Sequence, residues 1–256
     1  MTEIPNDAGP EPRRADQLPA SAIRFSICTL VTDREEYAEM VASFREGGFG
    51  GPDCEFLYLD NSQGNSFDAF AGYNLFLARA AGDYLILCHQ DILLLDEGRA
   101  VLEARLAELD RTDPAWALCG NSGGTLDGGR AVRITDPYGA DQAIGPFPAR
   151  AAALDENFIV VRRDANLALS HDLRGFHLYG ADLCIVADMI GRTAYVIDFH
   201  LRHKSAGNTD SAFYAARREA MAKYRRALRT RWIRTPCTSF PVSRMPLLAR
   251  ILGRRF

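Results

Sequence analysis

The sequence lacks the closely spaced cysteine pairs of zinc sites and redox motifs. No two of its cysteines form a CxxC pair, and several lie inside apolar runs. Scattered cysteines of this kind favour buried thiols in a reducing compartment over a disulfide framework or a zinc site. The six positions are Cys28, Cys54, Cys88, Cys119, Cys184 and Cys237.

Long hydrophobic runs are also missing. Residues 1–20 contain no apolar core of signal-peptide length, and no stretch approaches the length of a membrane-spanning helix. The net charge is only −3, so general attraction to polyanions such as nucleic acids is not expected. These observations predict a cytoplasmic protein.

Glycine-rich phosphate loops are absent from the expected position. Neither GxGxxG nor GxxxxGK[ST] follows the first predicted strand, residues 23–31. A dinucleotide site or a P-loop is therefore unsupported. A nucleotidyltransferase is disfavoured as well, because the Gly-rich loop bearing Arg or Lys that it needs after this strand is missing.

The first half of the chain alternates between strand and helix patterns. Predicted strands cover residues 23–31, 54–59 and 84–88, with helices between them, the first capped by Asp33. This alternation predicts an α/β fold with a mostly parallel central sheet flanked by helices. Residues 120–150, rich in Gly, Asp and Pro, predict a long excursion with a hairpin around residues 127–129.

The most informative segment is residues 82–95, GDYLILCHQDILLL. Its apolar run predicts a strand buried on both faces, and His89, Gln90 and Asp91 follow where that strand ends. Ligands of open α/β sheets bind beyond the carboxyl ends of the strands, and a carboxylate there suits a divalent cation that also binds phosphate. The alternative is structural, with Asp91 capping a turn and His89 at a sheet edge.

Two further polar segments follow predicted strands, at Asp60-Asn61 and at residues 200–204, which include His203. One Asp and one distant His, together with phosphate oxygens and water, can complete an octahedral cation site. Mg²⁺ or Mn²⁺ held by so few protein ligands is typical of sites where a nucleoside diphosphate supplies the rest.

The order of these segments resembles glycosyltransferase family 2, nucleotide-sugar transferases with the GT-A fold. Within that family it is most similar to the glycosyltransferase-like branch whose metal motif is HQD. The resemblance spans about residues 23 to 225. The matching segments are FSICTLVTD (25–33), FLYLDNS (56–62), AGDYLILCHQDILL (81–94), WALCG (116–120), LDENFIVVRRD (154–164), HDLRGFHLYGADLC (171–184) and HKSAG (203–207).

The resemblance implies a site for a nucleotide-sugar donor. Asp60 and Asn61 would hold the nucleoside, with Thr29 close to it. Gln90 and Asp91 would also contact the nucleotide. Transfer to a hydroxyl of a glycan, a lipid-linked acceptor or a protein would follow, with inversion at the anomeric carbon and a place in surface-polysaccharide or glycoconjugate synthesis.

The resemblance also implies a divalent cation, Mg²⁺ or Mn²⁺. Asp91 would be the acid that contacts the metal, and His203 the late histidine that approaches the metal or the diphosphate. His89 and Gln90 stand where the family often has acids, which leaves a structural role for His89 open. The alternative for His203 is an exposed loop histidine.

One departure concerns the catalytic base. Where the branch reads Tyr-Asp-x-Asp, this chain has Gly180 in place of the first Asp, the usual general-base position. Asp182, on the predicted acceptor-side helix, and Asp155 are the candidate catalytic residues that remain. The alternatives are a helix cap for Asp182 and, for the protein, a non-catalytic scaffold that binds a nucleotide or glycan.

The predicted domain organisation has three parts. Residues 1–21 form a disordered lead, residues 22–234 a single GT-A-like glycosyltransferase domain, and residues 235–256 a basic amphipathic tail. Apolar residues interleave with arginines in that tail. It therefore predicts either peripheral contact with the inner membrane face or packing of its leucines on the domain.

Overall fold

The computed structural model describes residues 21–207, 209–234, 236, 239–243 and 245. The predicted N-terminal lead, apart from its last residue, lies outside the described residues. So do Cys237 and most of the predicted tail. Among the described helices, none is both long and apolar enough to cross a membrane.

The predicted βαβαβ unit is present at the start of the chain. Its elements are β1 (Phe25–Val31), α1 (Arg34–Phe44), β2 (Cys54–Asp60), α2 (Ala69–Arg79) and β3 (Tyr84–Cys88). Asp33 caps α1 as predicted, because its carboxylate accepts hydrogen bonds from the N–H groups of Glu35 and Glu36. The three strands pair in parallel in the order β2-β1-β3.

The rest of the chain is richer in strands than the sequence pattern predicts. The further elements are β4 (Ile92–Leu94), α3 (Arg99–Thr112), β5 (Trp116–Gly120), β6 (Ser122–Thr125), β7 (Arg130–Asp136), β8 (Gly139–Ile144), β9 (Ala149–Leu154), β10 (Phe158–Arg162), α4 (Tyr179–Met189), β11 (Thr193–Val196), β12 (Leu201–His203), α5 (Ser211–Ala227), β13 (Arg231–Arg234) and β14 (Ser239–Val242).

The predicted excursion at residues 120–150 contains β6, β7, β8 and the start of β9. The predicted hairpin lies between β6 and β7. A π-helical turn (Arg45–Phe49) extends α1, and a 3-10 turn (Arg163–Ala165) follows β10.

The central sheet is mixed, so the prediction of a mostly parallel sheet is wrong. Its strand order is β2-β1-β3-β10-β5-β11-β9-β6-β7-β12-β4, with β8 beside β7. β10 lies antiparallel between β3 and β5. The physical reason is connectivity: six strands, β5 to β10, follow one another without an intervening α-helix. Parallel neighbours need a crossover connection of a dozen or more residues, whereas short turns give antiparallel neighbours.

The core has two apolar layers, one on each face of β3. All five residues of β3 are buried, as its continuous apolar run predicts. Leu85 and Leu87 face the layer that contains α2 and α4, and Ile86 faces the layer that contains α1 and α3. This double coverage fixes the strand rigidly, and with it the polar residues that follow its carboxyl end.

Candidate functional site

A cavity of about 830 Å³ opens beyond the carboxyl ends of β1, β2 and β3. Its lining includes Asn61 after β2, His89 and Asp91 after β3, and His203 at the end of β12. The segment between β9 and β10 and the first turn of α4 close another side. The predicted strand-end segments therefore contribute to one cavity, as expected for an α/β sheet.

Strand pairing brings His203 to Asp91. β12 runs antiparallel to β4, with His203 opposite Ile92, and the N–H of Lys204 donates to the carbonyl oxygen of Asp91 at 3.0 Å. His203 Nε2 consequently lies 3.3 Å from Asp91 Oδ1, and both residues are about 9% exposed. His203 is thus a buried member of the site, and the alternative of an exposed loop histidine is wrong.

His89 completes a compact cluster with these two residues. Its Nδ1 lies 3.2 Å from His203 Nε2 and 4.0 Å from Asp91 Oδ1. The three potential ligand atoms all lie within 4.8 Å of one another. We call His89, Asp91 and His203 the HDH cluster. Ser205 adds a hydroxyl 3.1 Å from His203 Nε2.

The charges within the HDH cluster complement one another. Burial opposes ionisation of Asp91, but the hydrogen bond and charge of His203 prevail and hold the pKa of Asp91 well below its usual range. Burial also disfavours charge on His203, yet the hydrogen bond and charge of Asp91 raise the pKa of His203. For His89, burial and then the charge of His203 lower the pKa. Asp91 and His203 therefore each favour the charged form of the other, whereas the surroundings of His89 disfavour its charged form.

Tyr179, the first residue of α4, fixes the tautomer of His89. Its hydroxyl donates to the carbonyl oxygen of Glu156 at 2.7 Å and lies 3.3 Å from His89 Nε2. Because that single proton is used on Glu156, Nε2 of a neutral His89 must be the donor to the tyrosine oxygen. His89 Nδ1 is then the unprotonated nitrogen, and it faces Asp91 and His203.

This donor set fits a divalent transition-metal ion. Two imidazole nitrogens and one carboxylate oxygen converge, and Tyr179 orients one imidazole in the way that outer hydrogen bonds orient metal ligands. Imidazole suits transition metals better than Mg²⁺, whereas carboxylate suits Mn²⁺ and Mg²⁺ alike. Of the two cations that the sequence predicts, the cluster therefore favours Mn²⁺.

Replacing Tyr179 with Phe is expected to weaken Mn²⁺ binding by about tenfold or more, because the His89 tautomer loses its partner. Titration of Mn²⁺ by calorimetry or by its paramagnetic resonance signal measures this. Tyr73→Phe is the matched control, since Tyr73 OH contacts the Tyr179 hydroxyl at 3.5 Å and lies in the same layer of rings. Equal Mn²⁺ affinities for Tyr179→Phe and the unmodified protein would contradict the assigned role.

Two residues predicted to bind the nucleoside do not line the cavity. Thr29 is fully buried in β1, where its hydroxyl lies 3.4 Å from the Cys88 thiol. Asp60 accepts hydrogen bonds from the N–H and hydroxyl of Ser62 and pairs with Arg34. These contacts lower the pKa of Asp60 to about 2. Local partners occupy both side chains, and a direct contact of either residue with a nucleoside stays a prediction.

Asn61 and Gln90 do line the cavity, and both also form hydrogen bonds to the backbone of neighbouring loops. The Asn61 amide bonds the N–H and carbonyl of Phe67, which closes the loop after β2. Gln90 Oε1 accepts hydrogen bonds from the N–H groups of Thr32 and Asp33 at the start of α1. Their direct contact with a nucleotide stays a prediction.

The two predicted catalytic acids have different surroundings. Asp182 is 2% exposed, and its carboxylate accepts hydrogen bonds from the N–H and hydroxyl of Ser170 and from the hydroxyl of Tyr224. It is not among the residues that line the cavity, and its contacts tie α4 to α5; its catalytic role stays a prediction. Asp155 lines the cavity and accepts two hydrogen bonds from Asn157.

Sequence reasoning missed Glu156 and Asn157 as cavity residues. Both belong to the segment LDENFIVV, where two polar residues directly precede the buried strand β10. Asn157 is fully buried, and its Oδ1 has no hydrogen-bond donor among the described residues. A buried acceptor without a partner is uncommon, and here it belongs to a residue of the cavity wall.

The fold is shared with two solved proteins, one of them a mannosyltransferase. It matches the mannosyltransferase PcManGT from Pyrobaculum calidifontis, solved with GDP-Man and Mn²⁺, with a TM-score of 0.52 at 12% identity over 82% of this chain and 67% of that one. It also matches S. aureus TarS, with a TM-score of 0.50 at 13% identity over 72% of this chain and 37% of that one. At these identities the likeness establishes the fold.

The family follows from sequence. The chain is 38% identical over 223 residues to the protein "ATP synthase subunits region ORF 6" of Fuscovulum blasticum, covering 85% of this chain and 90% of that protein. The chain belongs to the family of that protein, whose designation states no activity. No family model matches the chain.

Proposed function

We propose that this protein is a Mn²⁺-dependent glycosyltransferase that moves a sugar from a nucleotide-sugar donor to a hydroxyl acceptor. The observation that carries the proposal is the HDH cluster, three metal-ligating side chains on the wall of a large cavity in a glycosyltransferase-type fold. The cluster lies beyond the carboxyl ends of the strands, where such folds bind ligands.

Different residues of the cavity have different proposed roles. Asp91, His203 and His89 would hold the cation, which when bound stabilises negative charge on the departing nucleoside diphosphate. Arg130 also lines the cavity and would add positive charge toward the phosphates. Asn157 Oδ1 would accept a hydrogen bond from a sugar hydroxyl, which satisfies its buried lone pairs.

The donor's nucleoside is proposed to lie against the loops that follow β1 and β2. Thr32 and Asn61 line the cavity there, with Gln90 between them and the HDH cluster. The acceptor is proposed to be a hydroxyl of a glycan, a lipid-linked sugar or a protein. It would enter from the side of α4, and transfer would invert the anomeric carbon.

A non-catalytic scaffold that binds a nucleotide or glycan is the second candidate. The observation that favours it is the structural use of Asp182, which removes one predicted catalytic acid from the cavity. A scaffold and an enzyme would both bind a nucleotide with metal, but only an enzyme would turn over a donor. Release of nucleoside diphosphate from a nucleotide-sugar therefore separates the two.

The test is a thermal-shift panel with UDP, GDP, CMP and dTDP, each with Mn²⁺, with Mg²⁺ and with EDTA. One nucleotide is expected to stabilise the protein with Mn²⁺ and not with EDTA. Ligand binding to the native state adds about 2.7 kcal/mol at a hundredfold excess over Kd. Donor hydrolysis is then measured with sugars of that nucleotide. Binding without hydrolysis favours the scaffold. No metal-dependent shift for any nucleotide contradicts the enzyme and leaves only a scaffold that binds a glycan.

A further inference from the structure

Glycosyl transfer to a hydroxyl needs a group that takes the hydroxyl proton, and that group must lie in the cavity. Five carboxyl side chains line the cavity in the described part of the chain. They differ in whether another side chain already engages the carboxylate. The five are Glu36, Asp91, Asp136, Asp155 and Glu156.

Three of the five bind side chains with a clear structural or metal-site purpose. Glu36 lies 3.3 Å from the ammonium of Lys204. Asp91 pairs with His203 in the HDH cluster. Asp136 accepts hydrogen bonds within the turn before β8, including one of 2.7 Å from Gln142 Nε2. None of these carboxylates is free to act as a proton acceptor without breaking the contact that defines its position.

Asp155 is a weaker candidate than its neighbour. Its Oδ1 accepts from the N–H and the side-chain amide of Asn157, at 3.0 and 2.6 Å, which holds the turn between β9 and β10. This structural contact already occupies the Oδ1 oxygen. Asp155 is also the more exposed of the two.

Glu156 has no side-chain partner in the described contacts. Its Oε1 accepts a hydrogen bond of 3.2 Å from the N–H of Gly180, in the first turn of α4. Gly180 also lets the start of α4 lie close to β9, because a Cβ there would lie 2.3 Å from the carbonyl oxygen of Leu154. The same segment supplies the carbonyl of Glu156 to Tyr179, which in turn contacts His89. Glu156 is therefore held in the cavity by the elements that also orient the HDH cluster.

The surroundings of Glu156 suit a base that works near neutral pH. The pKa of Glu156 is raised to about 8, chiefly by burial and to a smaller extent by the negative charge of Asp155, while hydrogen bonds from the N–H groups of Gly180, Tyr179 and Leu178 act in the opposite direction. A carboxylate whose pKa is raised toward the working pH binds a proton more strongly than an ordinary one. The raised pKa of Glu156 and its lack of a side-chain partner thus favour the same one of the five carboxylates.

We infer that Glu156 is the general base of the proposed glycosyl transfer, a role that rests on the proposed function. Its carboxylate takes the proton of the acceptor hydroxyl while that oxygen bonds to the anomeric carbon. The bond from this carbon to the nucleoside diphosphate breaks, and its electron pair leaves on the diphosphate oxygen. Glu156 afterwards gives the proton to solvent, which returns it to the carboxylate form.

A purely structural role for Glu156, as the cap of α4, makes different predictions. In Glu156→Gln the amide oxygen still accepts from Gly180 N–H, so a cap is largely retained, but the basicity is lost. Glu156→Asp keeps the basicity and shortens the side chain. The comparison therefore distinguishes a base from a cap even if one variant is less stable.

The experiment measures Mn²⁺-dependent hydrolysis of the nucleotide-sugar that matches the best nucleotide of the panel. Water serves as the acceptor. Glu156→Gln is expected to lower kcat by about 10²- to 10⁴-fold, the usual contribution of a general base, with the Mn²⁺-dependent thermal shift by the nucleotide retained. Glu156→Asp should retain an intermediate rate, and Asp155→Asn should lose less than Glu156→Gln.

The outcomes separate this inference from the proposed function. Turnover by the unmodified protein together with a Glu156→Gln rate within threefold of it overturns the base and leaves the transferase standing. A larger loss in Asp155→Asn than in Glu156→Gln moves the base to Asp155. If the unmodified protein has no turnover with any donor, the proposed function fails and the base fails with it.

Discussion

Replacing Asp91 with Asn is expected to lower Mn²⁺-dependent donor hydrolysis by at least about 100-fold. Loss of outer-shell partners of metal sites costs 10- to 100-fold, and Asp91 is a proposed direct ligand, so its loss should cost more. The carboxylate is also the counter-charge of His203, at 3.3 Å. Asn cannot supply that charge, and Mn²⁺ affinity should fall together with the rate.

Asp83→Asn is the matched control for this prediction. Asp83 directly precedes β3 at the end opposite to Asp91, and its carboxylate makes an exposed contact with Arg24 at 3.4 Å. Exposed pairs contribute little, so Asp83→Asn should keep its rate and its Mn²⁺ affinity. An Asp91→Asn protein that hydrolyses donor as fast as the Asp83→Asn protein would remove Asp91 from the metal site.

Replacing Gly180 with Ala is expected to destabilise the fold by more than about 2 kcal/mol, near or above the upper part of the usual range for overpacking. A Cβ at this position would lie 2.3 Å from the carbonyl oxygen of Leu154 and 3.2 Å from Ile159 Cδ1. The first neighbour is backbone of β9, which cannot move aside as a flexible side chain does. Urea unfolding with a constant m-value measures the change in free energy.

Gly124→Ala is the comparison variant, because a Cβ on Gly124 would meet no atom within 4 Å. It should change the free energy of unfolding far less than Gly180→Ala. Gly180→Asp, which restores the acid that the resemblance implies, should be at least as destabilised as Gly180→Ala and gain no activity. A Gly180→Asp protein with unchanged stability would show that α4 does not pack against β9 as described.

The first half of the fold could be predicted because its signals are local. The cap at Asp33 depends on residues three positions away, and the burial of β3 on both faces leaves an uninterrupted apolar run. The strand bounds at β1, β2 and β3 consequently differ from the sequence prediction by two residues at most. Periodicity and capping suffice where helices and strands alternate.

The mixed sheet could not be predicted in the same way. β10 enters the sheet between β3 and β5, and its apolar residues Phe158 to Val161 are as continuous as those of a parallel strand. A strand buried on both faces has this pattern whichever way it runs. Its direction depends on the turns and short strands of residues 120–157, whose pairing is a tertiary property.

In the candidate site, too, residues with a local sequence signal could be predicted, and residues positioned by tertiary packing could not. Asp91 and His203 could be selected from sequence because polar residues at strand ends are conspicuous, and the structure places them 3.3 Å apart. Glu156 and Tyr179 carry no such signal, since their roles arise from the packing of α4 against the turn before β10. The sequence motif that contains Asp182 gave no sign that its carboxylate is buried and hydrogen-bonded to Ser170 and Tyr224.

Anomalous diffraction at the manganese edge is the most direct measurement, on crystals grown with Mn²⁺ and the nucleotide that stabilises the protein in the thermal-shift panel. A manganese peak is expected within bonding distance of Asp91 and His203, with His89 Nδ1 facing it and the nucleotide phosphates on its open side. A nucleotide bound in the cavity with no manganese at the HDH cluster, or manganese bound elsewhere, would show that the HDH cluster is not the metal site.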